Sequence, residues 1–165
     1  MQIETYHFKD DGIIPNNALP LLVYKFAFPV GESIAEVMEE TFASHNWTNS
    51  WRNGVFPYHH YHSITHEVLG VYAGSATLHL GGGHGEKLEV EAGDVFVIPA
   101  GVGHKKILAS ADFGVIGAYP NGTDYDLMTG KEGERPSADE RIAAVQLPET
   151  DPVLGKEGGI AEYWK

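Results

Sequence analysis

The 165-residue sequence contains no cysteine. That excludes a disulfide scaffold, a thiol nucleophile, an iron–sulfur cluster and every cysteine-ligated zinc site. It fits a reducing compartment, and a cytoplasmic location is the expectation. Basic residues are scarce: 11 Lys and Arg stand against 23 Asp and Glu, a formal net charge of −12. A phosphate backbone or an anionic membrane surface needs a basic face, so neither a nucleic-acid nor a membrane partner is expected. No apolar run approaches the ~20 residues of a membrane span. The start, MQIETYHFKDDG, lacks the basic-then-apolar order of a signal peptide. Zinc helices of the HExxH or HxxEH type, a GxSxG elbow and a GxxxxGK[ST] phosphate loop are all missing.

What is there reads as one globular domain over residues 1–165. Hydrophobic residues make up 42% and charged residues 21%, a composition that closes a core. Leu21 to Phe28, bounded by prolines, reads as a strand. Ile34, Val37, Met38 and Phe42 recur at helical spacing within Glu32 to Ala43. Asn46 to Phe56 is rich in turn formers and reads as a loop. From Pro57 to Pro120, short apolar runs separated by glycine turns predict an all-β sandwich or small barrel. Asn121 to Arg135 reads as a surface loop. Ser137-Ala-Asp-Glu140 has the form of a capping box opening a short helix through about Val145. The tail from Pro148 shows little periodicity.

With no cysteine, a metal site must be built from histidine and carboxylate. Of nine histidines, His59, His60, His62 and His66 fall close together in YHHYHSITHE. On a strand, His60 and His62 share a face, with His59 and Tyr61 on the other. Glu67 supplies a hard oxygen donor; a bulge that shifts parity would put His66 in its place. His104, after the turn Pro-Ala-Gly-Val-Gly, is the best distant partner. Tyr58 shares the phase of His60 and His62, so it is the candidate catalytic hydroxyl, with packing as the alternative. His7, His45, His79 and His84 show no partner spacing and read as surface or hydrogen-bonded groups. Gly81 to Gly85 reads as a hairpin turn, and Asp124 and Asp126 as loop carboxylates near a barrel mouth.

Two stretches resemble the sequence motifs of the cupin superfamily. In the first, Gly54 is followed by His60-Tyr61-His62, then Glu67 and Gly74. In the second, Gly93 is followed by Pro99, Gly101 and His104. The family pattern often ends with Asn four positions further on, where this chain has Leu108. The chain is also similar to small single-domain bacterial cupins, and its second His-to-Glu spacing is that of germin-type oxalate oxidases. The resemblance implies an all-β cupin jelly-roll barrel, its motif-bearing core about residues 54–120, with a short N-terminal and a short C-terminal helix. It implies His60, His62, Glu67 and His104 as ligands of one divalent transition metal (manganese, iron, nickel or zinc). It further implies a homodimer and a small-molecule substrate. The leading expectation is an enzyme of dioxygenase or oxidase type acting on a small oxygen-rich metabolite. Alternatives are a metal-dependent sugar-type isomerase and a non-catalytic metal-dependent binding protein.

Overall fold

Strands form where aliphatic and aromatic residues run between glycine, proline and asparagine turns. In the computed structural model, which describes residues 1–165, there are nine. They are β1 (Gln2–Phe8), β2 (Asn17–Lys25), β3 (Trp47–Asn53), β4 (Glu67–Ala73), β5 (Ser75–Leu80), β6 (Glu86–Glu91), β7 (Val95–Ile98), β8 (His104–Ala109) and β9 (Gly114–Pro120). One sheet has the order β1-β2-β7-β4-β9-β3 and the other β6-β5-β8, with antiparallel pairing throughout. Three helices, α1 (Ile34–Ser44), α2 (Ser137–Ala144) and α3 (Gly159–Tyr163), complete the structure. No helix is long and apolar enough to cross a membrane.

The inner strands of the six-stranded sheet, β2, β7, β4 and β9, are buried on both faces, which is why they read as continuous apolar runs rather than alternating ones. Successive side chains go to opposite sides. Leu21, Val23, Leu69, Val71, Phe96, Ile98 and Val115 face the smaller sheet, where Ala76, Leu78, Leu80 and Val90 meet them. Leu22, Tyr24, Val68, Val95, Val97, Ile116 and Ala118 face outward and are covered by α1, Ile160 and Trp164. Helix α1 turns Ile34, Ala35, Met38 and Phe42 onto that outer face. Its approach is close because Gly70 has no side chain: a Cβ there would lie 2.8 Å from Met38 Sδ and 3.1 Å from Phe42 Cζ.

Three local expectations are corrected. The stretch 46–56 is not simply a loop, since Trp47–Asn53 is the edge strand β3, paired with β9. Its turn-forming residues occupy a register shift between Thr48 and Trp51, with Asn49 at φ 61°. The capping box does not form: Ser137 is already inside α2, whose preceding residue is Pro136, and no side chain caps it. The tail beyond Pro148 is tied down by its own polar groups. Asp151 accepts from the Tyr24 hydroxyl and from the amides of Val153, Leu154 and Ile160, and Trp164 Nε1 donates to the Pro20 carbonyl at 2.8 Å.

Because Phe42 is wholly buried under the sheet, Phe42→Ala is expected to lower the unfolding free energy by about 3–5 kcal/mol. Val37→Ala, on the exposed side of α1, should change it by about 0.5 kcal/mol or less. Urea titration of the two variants checks the pair.

Candidate metal centre

Strand parity places Glu67. It opens β4 in phase with Leu69 and Val71, so its carboxylate enters the space between the sheets. His66 has the opposite phase: its ring lies against Trp164 on the outer side, 4.8 Å between centroids. Its Nδ1 accepts from the Ala100 amide at 2.9 Å, and burial pushes it down to about 4. The bulge that would exchange the two does not occur, and Glu67 faces the site.

The two histidines of the first motif do not lie on a regular strand. His60 makes an isolated bridge to His104, with amide–carbonyl bonds of 3.2 and 2.9 Å, and Tyr61 bridges Met128 on its other side. The expected alternation survives because those bridges hold the backbone extended. His104 opens β8, and its pairing with His60 joins the two motifs. The ligating atoms of His60, His62 and His104 all lie within 4.8 Å of one another, and all three side chains are buried.

Each ring is oriented by its other nitrogen. His60 Nδ1 contacts the Tyr58 carbonyl at 3.0 Å, His104 Nδ1 the Val102 carbonyl at 3.2 Å, and His62 Nδ1 the Asp126 carbonyl. A carbonyl only accepts, so each Nδ1 carries the proton and each neutral Nε2 is left with a lone pair. Glu67 Oε1 sits 3.4 Å from His62 Nε2 and 3.3 Å from His104 Nε2. It is buried and has no hydrogen-bond partner. A bare carboxylate oxygen in that position is costly unless a cation or proton joins it. An ion about 2.0–2.2 Å from each donor puts neighbouring donors about 3.0–3.4 Å apart. The three imidazoles fit one ion in spacing, Glu67 Oε1 is close to two of them, and tautomer and charge suit a divalent transition ion.

The other oxygen of Glu67 is spoken for. Tyr119, in phase with Val115 on β9, donates its hydroxyl to Oε2 at 2.9 Å and accepts from Trp51 Nε1 at 2.7 Å. Trp51 reaches it because its cross-strand partner is Gly117; a side chain there would overlap the indole. The Asp126 loop is fixed in turn by Ser63, whose amide and hydroxyl both donate to the Asp126 carboxylate, and Arg141 of α2 donates to Ser63 Oγ at 2.8 Å.

Sequence reasoning missed Trp51, Tyr119 and Tyr125. The available signal for Tyr119 was its phase in GVIGAYP. Tyr58, the candidate hydroxyl, is not in the site cavity. It is 41% exposed, stacks on Phe56, and borders a separate outer depression with Ile13 and His59. The irregular backbone at 57–59 breaks the phase that would have carried it inward. His59 faces away as expected, against His79. The site cavity, about 330 Å³, is bordered by the four ligating groups and by Trp51, Val55, Phe56, Leu69, Lys106, Tyr119 and Tyr125, among others.

Burial is the strongest influence on His60, His62 and Glu67. It pushes His60 down to about 3, helped by neighbouring His104. For His62 burial also favours the neutral ring, but Glu67 outweighs it and the net shift is upward. Burial opposes ionisation of Glu67, yet the pull of His62 and His104 leaves it below the ordinary carboxylate range. Glu67 and His62 thus favour each other's charged forms.

Strand order, motifs and buried histidines together define a cupin. The chain is 46% identical over 164 residues to the uncharacterized protein YjlB of Bacillus subtilis (strain 168), covering 99% of this chain and 97% of that one, and it belongs to the same family. It matches no family model. Among solved structures it is similar to a DUF861 family protein from Thermotoga maritima, with TM-score 0.38, 20% identity, and coverage of 59% of this chain and 96% of the other. It is also similar to acireductone dioxygenase from Bacillus anthracis, solved with a cadmium ion in its active centre (TM-score 0.39, 14% identity, coverage 68% and 79%). A third likeness is to the epimerase RmlC from Legionella pneumophila (TM-score 0.40, 14% identity, coverage 74% of each chain). None of these likenesses bears on activity.

Two outcomes are expected. Tyr119→Phe frees Glu67 Oε2 and should weaken divalent-metal binding about 10- to 100-fold, measured by competition with a chelating dye. Metal affinity should also fall on acidification by about tenfold per pH unit, because a proton competes for His62 Nε2. Since His62 is shifted upward, the fall should begin above the ordinary histidine value of about 6.5. Affinities measured from pH 8 to 5 show where it starts.

Proposed function

We propose that the chain is a single cupin unit over residues 1–165 in which His60, His62, Glu67 and His104 hold one divalent transition ion. We further propose that it is an enzyme of dioxygenase or oxidase type acting on a small oxygen-rich molecule. The observation that carries this reading is the bare Glu67 Oε1, buried 3.3–3.4 Å from two imidazole nitrogens whose lone pairs face it. The ion supplies Lewis acidity and, as manganese or iron, a redox couple. The residues of the chain do the rest. Backbone carbonyls at Tyr58, Val102 and Asp126 keep the rings in one tautomer. Tyr119 holds its proton on Glu67 Oε2, so that carboxylate presents one oxygen rather than two. Three neutral imidazoles and one carboxylate leave a 2+ ion with net positive charge, which favours oxygen donors of an anionic or enolisable substrate.

The walls have their own part. Val55, Phe56, Leu69 and Trp51 are apolar and border the cavity beside the histidines. A cavity of about 330 Å³ is at the low end of the roughly 300–1,000 Å³ usual for small-molecule sites. That supports a compact metabolite. The same proposal includes a homodimer in the cytoplasm; exposed Ile107 and Leu108 on the edge strand β8 offer apolar surface for a second copy.

Untagged protein, purified and analysed for metal, should carry about one equivalent of iron or manganese per chain, and Glu67→Gln should lose most of it. Oxygen uptake is then followed with a panel of dicarbonyls, oxalate and catechols. Uptake with at least one, absent in Glu67→Gln, is the expected result. Full metal loading with no uptake across the panel removes the oxygen reading.

A further inference from the structure

Resting on the reading just given, we infer that Lys106 is the anchoring cation of the cavity and that the substrate is a small carboxylate bearing a second oxygen function, of the 2-oxo acid or dicarboxylate kind. The placement follows from β8. Residues two apart on a strand share a face, with Cα atoms about 6.5–7 Å apart, so Lys106 lies one pleat along from His104. Its backbone is held there by a bond from its amide to the Phe56 carbonyl at 2.9 Å, and it borders the cavity that holds the histidines.

What marks Lys106 is that, of the two cationic residues bordering the cavity, it is the one without an ion pair. The ion pairs of the protein use Lys25, Arg52, Arg135, Arg141 and the histidines. Arg52 also borders the cavity, but its guanidinium is turned to α1 and gripped by Glu39 at 2.6 Å, with Glu36 at 3.5 Å. The one carboxylate bordering the cavity, Glu67, faces the histidines and Tyr119.

The cavity is therefore bordered by the candidate metal site and by a lysine, with apolar walls beside them. A carboxylate with a second oxygen satisfies both: one end accepts from the ammonium and the other reaches the metal site. An uncharged analogue leaves the ammonium without its counter-ion, and a cationic one is repelled.

Manganese-loaded protein is titrated calorimetrically with pyruvate, oxalate and 2-oxoglutarate, and with uncharged pyruvamide, the metal content of each sample being measured first. At least one acid should bind the wild type. Lys106→Met should raise its dissociation constant about 10- to 100-fold at unchanged manganese content, and Lys106→Arg should recover most of the loss. Pyruvamide should bind weakly and equally to all three proteins. Equal acid binding by wild type and Lys106→Met overturns the inference, as does the absence of saturable binding by all three acids. In both cases the metal reading survives. Failure of the wild type to take up manganese, iron, nickel or zinc overturns the metal reading instead.

Discussion

Glu67 is an ionised carboxylate in the middle of the molecule, one oxygen held by Tyr119 and the other aimed at His62 and His104 without a hydrogen-bond donor. Removing such a charge from water costs several kcal/mol unless it is paired with good geometry. Everything around it can be understood as a response to that constraint. One response is the upward shift of His62, which the carboxylate drives against the effect of burial. A divalent ion would answer the same demand without requiring any imidazole to be charged.

The sheet supplies the rigidity. A six-stranded sheet packed on both faces leaves its strands little freedom to slip, since a one-residue shift would exchange the outer and inner sets of side chains. That register decides chemistry as well as stability. It sends Glu67 inward and His66 outward, and it sets Tyr119 and Trp51 on adjacent strands so that indole, phenol and carboxylate form a chain. Gly117 is the small residue that permits the chain, and Gly70 on the opposite face permits α1 to close over the outer core.

The convergence of His60, His62 and His104 was legible in the sequence because cysteine is absent, His60 and His62 alternate, and two motifs supply the distant partner. The architecture was legible too, from short apolar runs with glycine turns. Three things were hidden. β3 was masked by asparagines and serine that serve its register shift at Asn49 rather than a loop. Tyr119 and Trp51 were hidden because they are 68 residues apart and meet only through the β3–β9 pairing. Tyr58 misled because alternation was extended through a segment whose backbone is irregular. Local pattern reports which face a residue takes while the strand lasts, and it fails where the strand stops.

His62 shows how the remaining chain enters the site. Its ring is oriented through Nδ1 by the Asp126 carbonyl, which lies outside both sheets in the stretch that follows β9. Asp126 keeps its place through Ser63, one residue beyond His62, and Ser63 is held in turn by Arg141. The same loop brings Tyr125 against both His62 and Tyr119. The sheets position Glu67 and His104, His60 is held by its bridge to His104, and His62 depends on a loop and a helix that the motifs do not cover. A substitution in that loop therefore acts on the ring of His62 and on the aromatic wall beside it.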